Sequence, residues 1–188
     1  MNYFETIKCN DMEVYNIEYH QQRISRTIGK NISLLDYIYP PNEKFLKCKI
    51  VYNEEGILDV IFTQYIKKDI KTLKIIHNDT IEYKYKYENR NTINELFSKK
   101  ESADDIIIVK NGFITDTSIA NIAILLDDNQ WYTPKKPLLE GTTKQRYLEN
   151  GYLKEKDISI ELFKKAKKIA LLNAMIDFDV KEDLKILF

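Results

Sequence analysis

Two β-prone runs, Tyr3 to Cys9 and Met12 to Tyr15, are separated by the polar turn formers Asn10-Asp11, and the pattern predicts a hairpin. From Ile17 to Ile28 the apolar spacing lengthens to that of a helix, and Gly29 stands where such a helix would stop. Strands are expected again at Leu46 to Tyr52, Ile57 to Gln64 and Ile70 to Ile76, the first two joined by Asn53-Glu54-Glu55-Gly56. The second half repeats the mixture. Asn91 to Phe97 reads as a helix, and Asp105 to Lys110 as an apolar strand closed by Asn111-Gly112. Asn121 to Leu126 and Gln130 to Thr133 pair across Asp127-Asp128-Asn129. Beyond Pro134 and Pro137 a helix is expected from Thr142 to Asn150 with Gly151 as its stop, then a helix from Ile158 to Ala166 and a strand from Lys168 to Asn173. The fold class is therefore α+β. With no repeat or long linker, the boundary between two lobes, 1–88 and 89–188, falls near Tyr87 to Asn91.

Composition narrows the function classes. The chain has 188 residues, 44% of them hydrophobic, enough to bury a core. Lys+Arg and Asp+Glu both number 29, so the formal charge is zero and the basic excess of a nucleic-acid binder is missing. Anionic small molecules remain possible partners through local charge. Cys9 and Cys48 are too few for a disulfide framework or a metal pattern, and reduced thiols are expected. The start Met1-Asn2-Tyr3-Phe4-Glu5 is not a signal peptide, and no apolar run is long enough for a membrane span. A soluble cytoplasmic protein is the expectation.

Four short stretches belong together chemically: Arg23, Lys86 to Arg90, Asp116 to Asn121, and Leu139 to Thr143. They offer a cation, an amine, a carboxylate and a helix start. Pyridoxal phosphate calls for these groups, because it presents an aldehyde to a lysine, a pyridine nitrogen to an acid, and a dianionic phosphate to arginine and backbone amides. Gly141-Thr142-Thr143 precedes a predicted helix, whose unpaired amides and dipole favour an anion, although such a triplet also serves as an ordinary cap. Lys86 lies in a Tyr-Lys alternation that by itself reads as the solvated face of a strand, and Lys84 sits in the same local pattern. Thr115-Asp116-Thr117 taken alone is a polar turn.

The order and spacing of these stretches resemble the class IV pyridoxal-phosphate-dependent aminotransferases, and within that family the short 4-amino-4-deoxychorismate lyases. The likeness runs from Phe4-Glu5-Thr6 to about Asn173. It implies a two-lobed fold of type IV, like that of D-amino acid aminotransferase, with most cofactor contacts in an α/β barrel-like second lobe. Lys86, with Arg90 four residues on, matches the lysine that binds the cofactor and acts as base, and Asp116 matches the acid at the pyridine nitrogen, where the family more often has glutamate. Arg23, in His20-Gln21-Gln22-Arg23, and Gly141, Thr142, Thr143 and Asn173 match phosphate contacts, while His20 is expected to be structural. Lys144 stands where the family commonly has arginine. The segment that normally precedes Phe-Glu-Thr is missing and the stretch from Arg23 to Lys86 is short, so the first lobe is trimmed. The activity implied is release of 4-aminobenzoate and pyruvate from 4-amino-4-deoxychorismate in folate biosynthesis. The alternative is a transaminase of branched-chain or D-amino acids, which would need a further cationic clamp, with Arg90, Lys135, Lys136 and Lys144 as candidates. A homodimer is also implied.

Overall fold

The computed structural model describes residues 1–187. The chain forms two compact units, one of residues 1–67 and 85–89, the other of residues 68–84 and from Arg90 onward.

The first unit is a four-stranded antiparallel sheet with one helix. Its strands are β1 (Tyr3–Asn10), β2 (Glu13–Val14), β3 (Leu46–Asn53) and β4 (Gly56–Gln64), in the order β2-β1-β3-β4. Helix α1 (Ile17–Ile28) ends as expected: Gly29 has φ 69°, a left-handed conformation that costs glycine little, and its N–H donates to the Ser25 carbonyl at 2.8 Å. Every second residue of β1 from Tyr3 to Cys9 is buried, and Ile7 and Cys9 pack with Ile24 of α1 and Ile50 of β3. Cys9 and Cys48 are both free and buried.

The second unit is a nine-stranded mixed sheet with three helices. Five of its strands are β5 (Thr72–His77), β6 (Asp105–Lys110), β7 (Phe113–Thr117), β8 (Asn121–Leu125) and β9 (Trp131–Pro134); α2 (Asn91–Ser98) precedes β6. Then follow α3 (Thr142–Glu149), β10 (Leu153–Lys156), α4 (Ile160–Phe163), β11 (Lys168–Asn173), β12 (Asp177–Lys181) and β13 (Lys185–Leu187). The path β10-β9-β8-β7-β6-β5-β13 is extended by β11, which pairs with β8 and β12. The core gathers Ile107 and Val109 of β6, Ile122 and Ile124 of β8 and Leu171 of β11.

Three expectations are corrected. The strand at Ile70 to Ile76 does not complete the first lobe; β5 lies in the second unit, because it pairs in parallel with β6 and β13. The helix expected over Ile158 to Ala166 is one turn only. Ile158 is held extended by accepting from Ile114 N–H, Ser159 caps the turn by accepting from Leu162 N–H, and Lys167 N–H is taken by Leu125 on β8. Residues 153–156, assigned to no element, form β10 parallel to β9.

Candidate active site

In the first unit two side chains of α1 converge on Glu5 of β1. Glu5 is fully buried, and its two carboxylate oxygens accept from Arg23 Nε at 2.7 Å, from Arg23 Nη2 at 2.5 Å and from His20 Nδ1 at 2.6 Å. Arg23 and His20 lie one turn apart on α1, so both reach the same acid. Burial alone would raise the Glu5 carboxyl, but the Arg23 charge and the bonds from His20 and Arg23 outweigh it and hold the group at about 2. Desolvation lowers His20, which is therefore neutral, donating from Nδ1 to Glu5 while Nε2 is buried without a partner. Arg23 is expected to meet a phosphate; the structure gives its Nε and Nη2 to Glu5, an acid in the Phe4-Glu5-Thr6 stretch. The signal was present, since Glu5 shares the inward side of β1 with Ile7 and Cys9, and a buried acid there requires a partner.

Lys86 belongs to this unit as well. Its carbonyl accepts from Phe4 N–H at 2.9 Å, and its Nζ lies 4.5 Å from the centre of the Phe4 ring. The neighbouring tyrosines pack elsewhere: the Tyr85 and Tyr87 rings are 5.9 and 5.5 Å from that of Tyr3. Lys84, which shares the same local pattern, lies in the second unit and is exposed. Of these two lysines, Lys86 alone shares a unit with Arg23.

In the second unit Asp116, Asn121 and Gly141 come together. Asp116 and Asn121 face one another as the pair that joins β7 to β8. Asn121 Nδ2 donates to Asp116 Oδ1 at 2.6 Å and to the Leu139 carbonyl at 2.9 Å, and Asp116 Oδ2 accepts from the amides of Leu138 and Leu139 at 2.8 and 2.9 Å. A carboxylate has about four acceptor positions, so one remains for a further donor such as a ring nitrogen. Desolvation raises the Asp116 carboxyl to about 6 against the pull of these bonds and of the Lys144 charge. Gly141 is demanded by contact, since a Cβ there would lie 1.9 Å from Asn121 Oδ1. It starts α3 in an extended conformation with no side-chain cap, and Thr142 and Thr143 are buried behind it. A helix start with no side-chain cap leaves its first amides to an anion such as a phosphate.

The other candidates lie inside the second unit. Asn173 Oδ1 accepts from the Met175 and Ile176 amides, and Nδ2 donates to the Ile119 carbonyl, so its side chain closes turns. Lys144 is wholly buried and donates to Glu140 at 3.0 Å and Glu155 at 2.8 Å. Arg90 Nη2 donates to the Ser118 carbonyl in the turn after Asp116. Lys135 and Lys136 line a crevice of about 400 Å³ together with Lys110 and Lys156. Among the described residues no helix is long and apolar enough to cross a membrane.

Comparison with known proteins supplies the family. An uncharacterized protein of Haemophilus influenzae is 34% identical over 183 residues, covering 92% of this chain and 96% of that one. A crystal structure of a proposed 4-amino-4-deoxychorismate lyase from Haemophilus somnus is 32% identical, covers 93% of this chain and 96% of its own, and superposes with a TM-score of 0.85. The pyridoxal-phosphate-bound form of a hypothetical aminotransferase from Mycobacterium tuberculosis shares the fold, with a TM-score of 0.77 at 15% identity over 98% of this chain and 81% of that one. The family model described as amino-transferase class IV matches residues 70–178. With that match over more than half of its length and a relative 34% identical along nearly all of it, the chain belongs to the class IV aminotransferase family.

Proposed function

We propose that this enzyme is a lyase that converts 4-amino-4-deoxychorismate to 4-aminobenzoate and pyruvate, with pyridoxal phosphate as its cofactor. The observation that carries the reading is the likeness to the Haemophilus somnus protein over nearly the whole length of both chains. The fate of the spare cations also supports it. A transaminase needs a clamp for two carboxylate substrates in turn, and one of the candidates for it, Lys144, is wholly buried and engaged with Glu140 and Glu155.

Pyridoxal phosphate, when bound, supplies an aldehyde that links to amines and a pyridine ring that takes up the electron pair left by a departing proton. Lys86 Nζ would hold the cofactor and, when the substrate amine takes its place, would be the base that receives the proton from the amine-bearing ring carbon. The C–O bond to the enolpyruvyl group then breaks, the ring becomes aromatic, and the proton is returned so that the three-carbon fragment leaves as pyruvate. Asp116, with an acceptor position left over, would hold the pyridine nitrogen and favour its protonated form. Gly141, Thr142 and Thr143 receive the phosphate on their amides and hydroxyls, with Arg23 and the amide of Asn173 as further phosphate contacts. Folate biosynthesis, a cytoplasmic location and a homodimer belong to the same proposal.

The test is incubation of cofactor-loaded protein with 4-amino-4-deoxychorismate and no amino donor. Equal amounts of 4-aminobenzoate and pyruvate are expected, and borohydride reduction of the loaded protein followed by peptide mapping should mark Lys86. Turnover of an amino acid with a keto acid, and no aminobenzoate, would replace the lyase by the transaminase; a mark on Lys84 would overturn the assignment of the lysine.

A further inference from the structure

Phe4 touches Lys86 at both ends. Its backbone N–H holds the lysine carbonyl at 2.9 Å, and its ring, only 9% exposed, lies 4.5 Å from the amine. Phe4 in turn is held by its own strand. The next residue, Glu5, ties β1 to α1 through Arg23 and His20, and β1 pairs with β3 along its length. We propose that Phe4 is the positioning residue of Lys86, fixing the lysine backbone by its amide and the amine by its ring. The inference rests on Lys86 being the cofactor lysine.

The charges around the amine make the ring's part separable. Lys49 on β3 lies 5.6 Å from the centre of the same ring and pairs with Glu88 at 3.3 Å. Arg23 and His20 stand on α1 with Glu5 on β1, and the Lys86 charge weighs against protonation of His20. Arg23 and Lys49 disfavour a second cation nearby, whereas the negative face of the Phe4 ring favours one. Replacing Phe4 by an aliphatic residue removes the ring term without altering any charge or the backbone bond.

The experiment loads the whole protein with pyridoxal 5′-phosphate and follows the absorbance of the lysine-bound cofactor against pH. In Phe4→Leu the midpoint for loss of the proton on the linked nitrogen should fall by about 0.4 to 1.5 pH units, the range of a cation–π contact. Phe4→Met, of similar bulk, should do the same, and Phe4→Tyr should restore the original midpoint. Affinity for pyridoxine 5′-phosphate, which has the phosphate but no aldehyde, should stay within about threefold in all of them. An unchanged midpoint in both aliphatic variants, or an equal fall in Phe4→Tyr, would overturn the role of the ring. If wild-type protein itself shows no lysine-bound absorbance, the assignment of Lys86 fails first, and that outcome is distinct because no variant is then needed to see it.

Discussion

Gly141→Ala is the most direct probe of how the two halves of the second unit's site are coupled. The backbone at Gly141, φ −73° and ψ 142°, is one that alanine adopts freely, so substitution by itself should stabilise the protein by about 0.4 to 1 kcal/mol through the unfolded chain. The obstacle is steric, because the new methyl would sit 1.9 Å from Asn121 Oδ1. To clear it the Asn121 amide must turn, and Nδ2 then leaves both Asp116 and the Leu139 carbonyl. A bond to a charged group contributes about 1.5 to 3 kcal/mol and a neutral one about 0.5 to 1.5 kcal/mol. Set against the gain from alanine, the net expectation is a loss of about 1 to 4 kcal/mol. The protein's one tryptophan, Trp131, is buried in the same unit, so its fluorescence during urea unfolding reads the effect where it occurs. On an Asn121→Ala background the clash is gone, and Gly141→Ala should become neutral or stabilising. If Gly141→Ala stabilises the wild-type protein as well, the tight contact between Gly141 and Asn121 is not what holds Asp116.

Asp116→Asn should separate chemistry from binding: turnover per bound cofactor falls far more than cofactor affinity, and equal turnover would remove Asp116 from the mechanism. The same variant tests its titration. A carboxyl raised to about 6 keeps its proton longer folded than unfolded, so the wild type should lose up to about 3 kcal/mol as pH rises from about 4 to 6, a slope that Asp116→Asn lacks in Trp131-monitored unfolding. Glu5→Gln leaves a buried arginine and histidine without their acid and should cost about 3 to 5 kcal/mol near neutral pH, read from the near-ultraviolet dichroism of the tyrosines around Tyr3. Because the Glu5 carboxyl is lowered to about 2, its contribution is present above about 4.5 and fades as pH falls, so the gap from wild type should close towards pH 2 and would refute the pairing if it did not.

What the sequence reveals follows the range of the interactions. The hairpin of β3 and β4, helix α1 with its glycine stop and the helix after Gly141 are set by neighbours a few residues apart, and they are found where expected. The strand β10 is not, because Leu153-Lys154-Glu155-Lys156 has one apolar residue and is extended only through its pairing with β9. Strand β5 was recognised as a strand but given to the wrong unit, since its partners β6 and β13 lie far along the chain. Among the site residues, Lys86 and Asp116 carry spacing that a resemblance can use. The bonds of Asn121 to Asp116 and of Glu5 to Arg23 join residues on different elements, and spacing alone does not announce them.

The lysine's place along the chain has a consequence for how the protein is made. Residues 85–89 return to the first unit between two stretches of the second, and Tyr87 bridges to Tyr3 across more than eighty positions. A ribosome therefore releases the whole of β1 to β4 long before the segment bearing Lys86 arrives, and the loop that must close is one of the longest in the first unit. No contiguous gene fragment encodes that unit by itself: a product ending at Lys67 would carry Arg23, His20, Glu5 and Tyr52 but neither the amine nor Tyr85 and Tyr87, which pack on Tyr3. Reconstitution from two pieces cut after Lys67 would have to supply the five residues in trans, and the amine would be delivered with the piece that encodes the other unit.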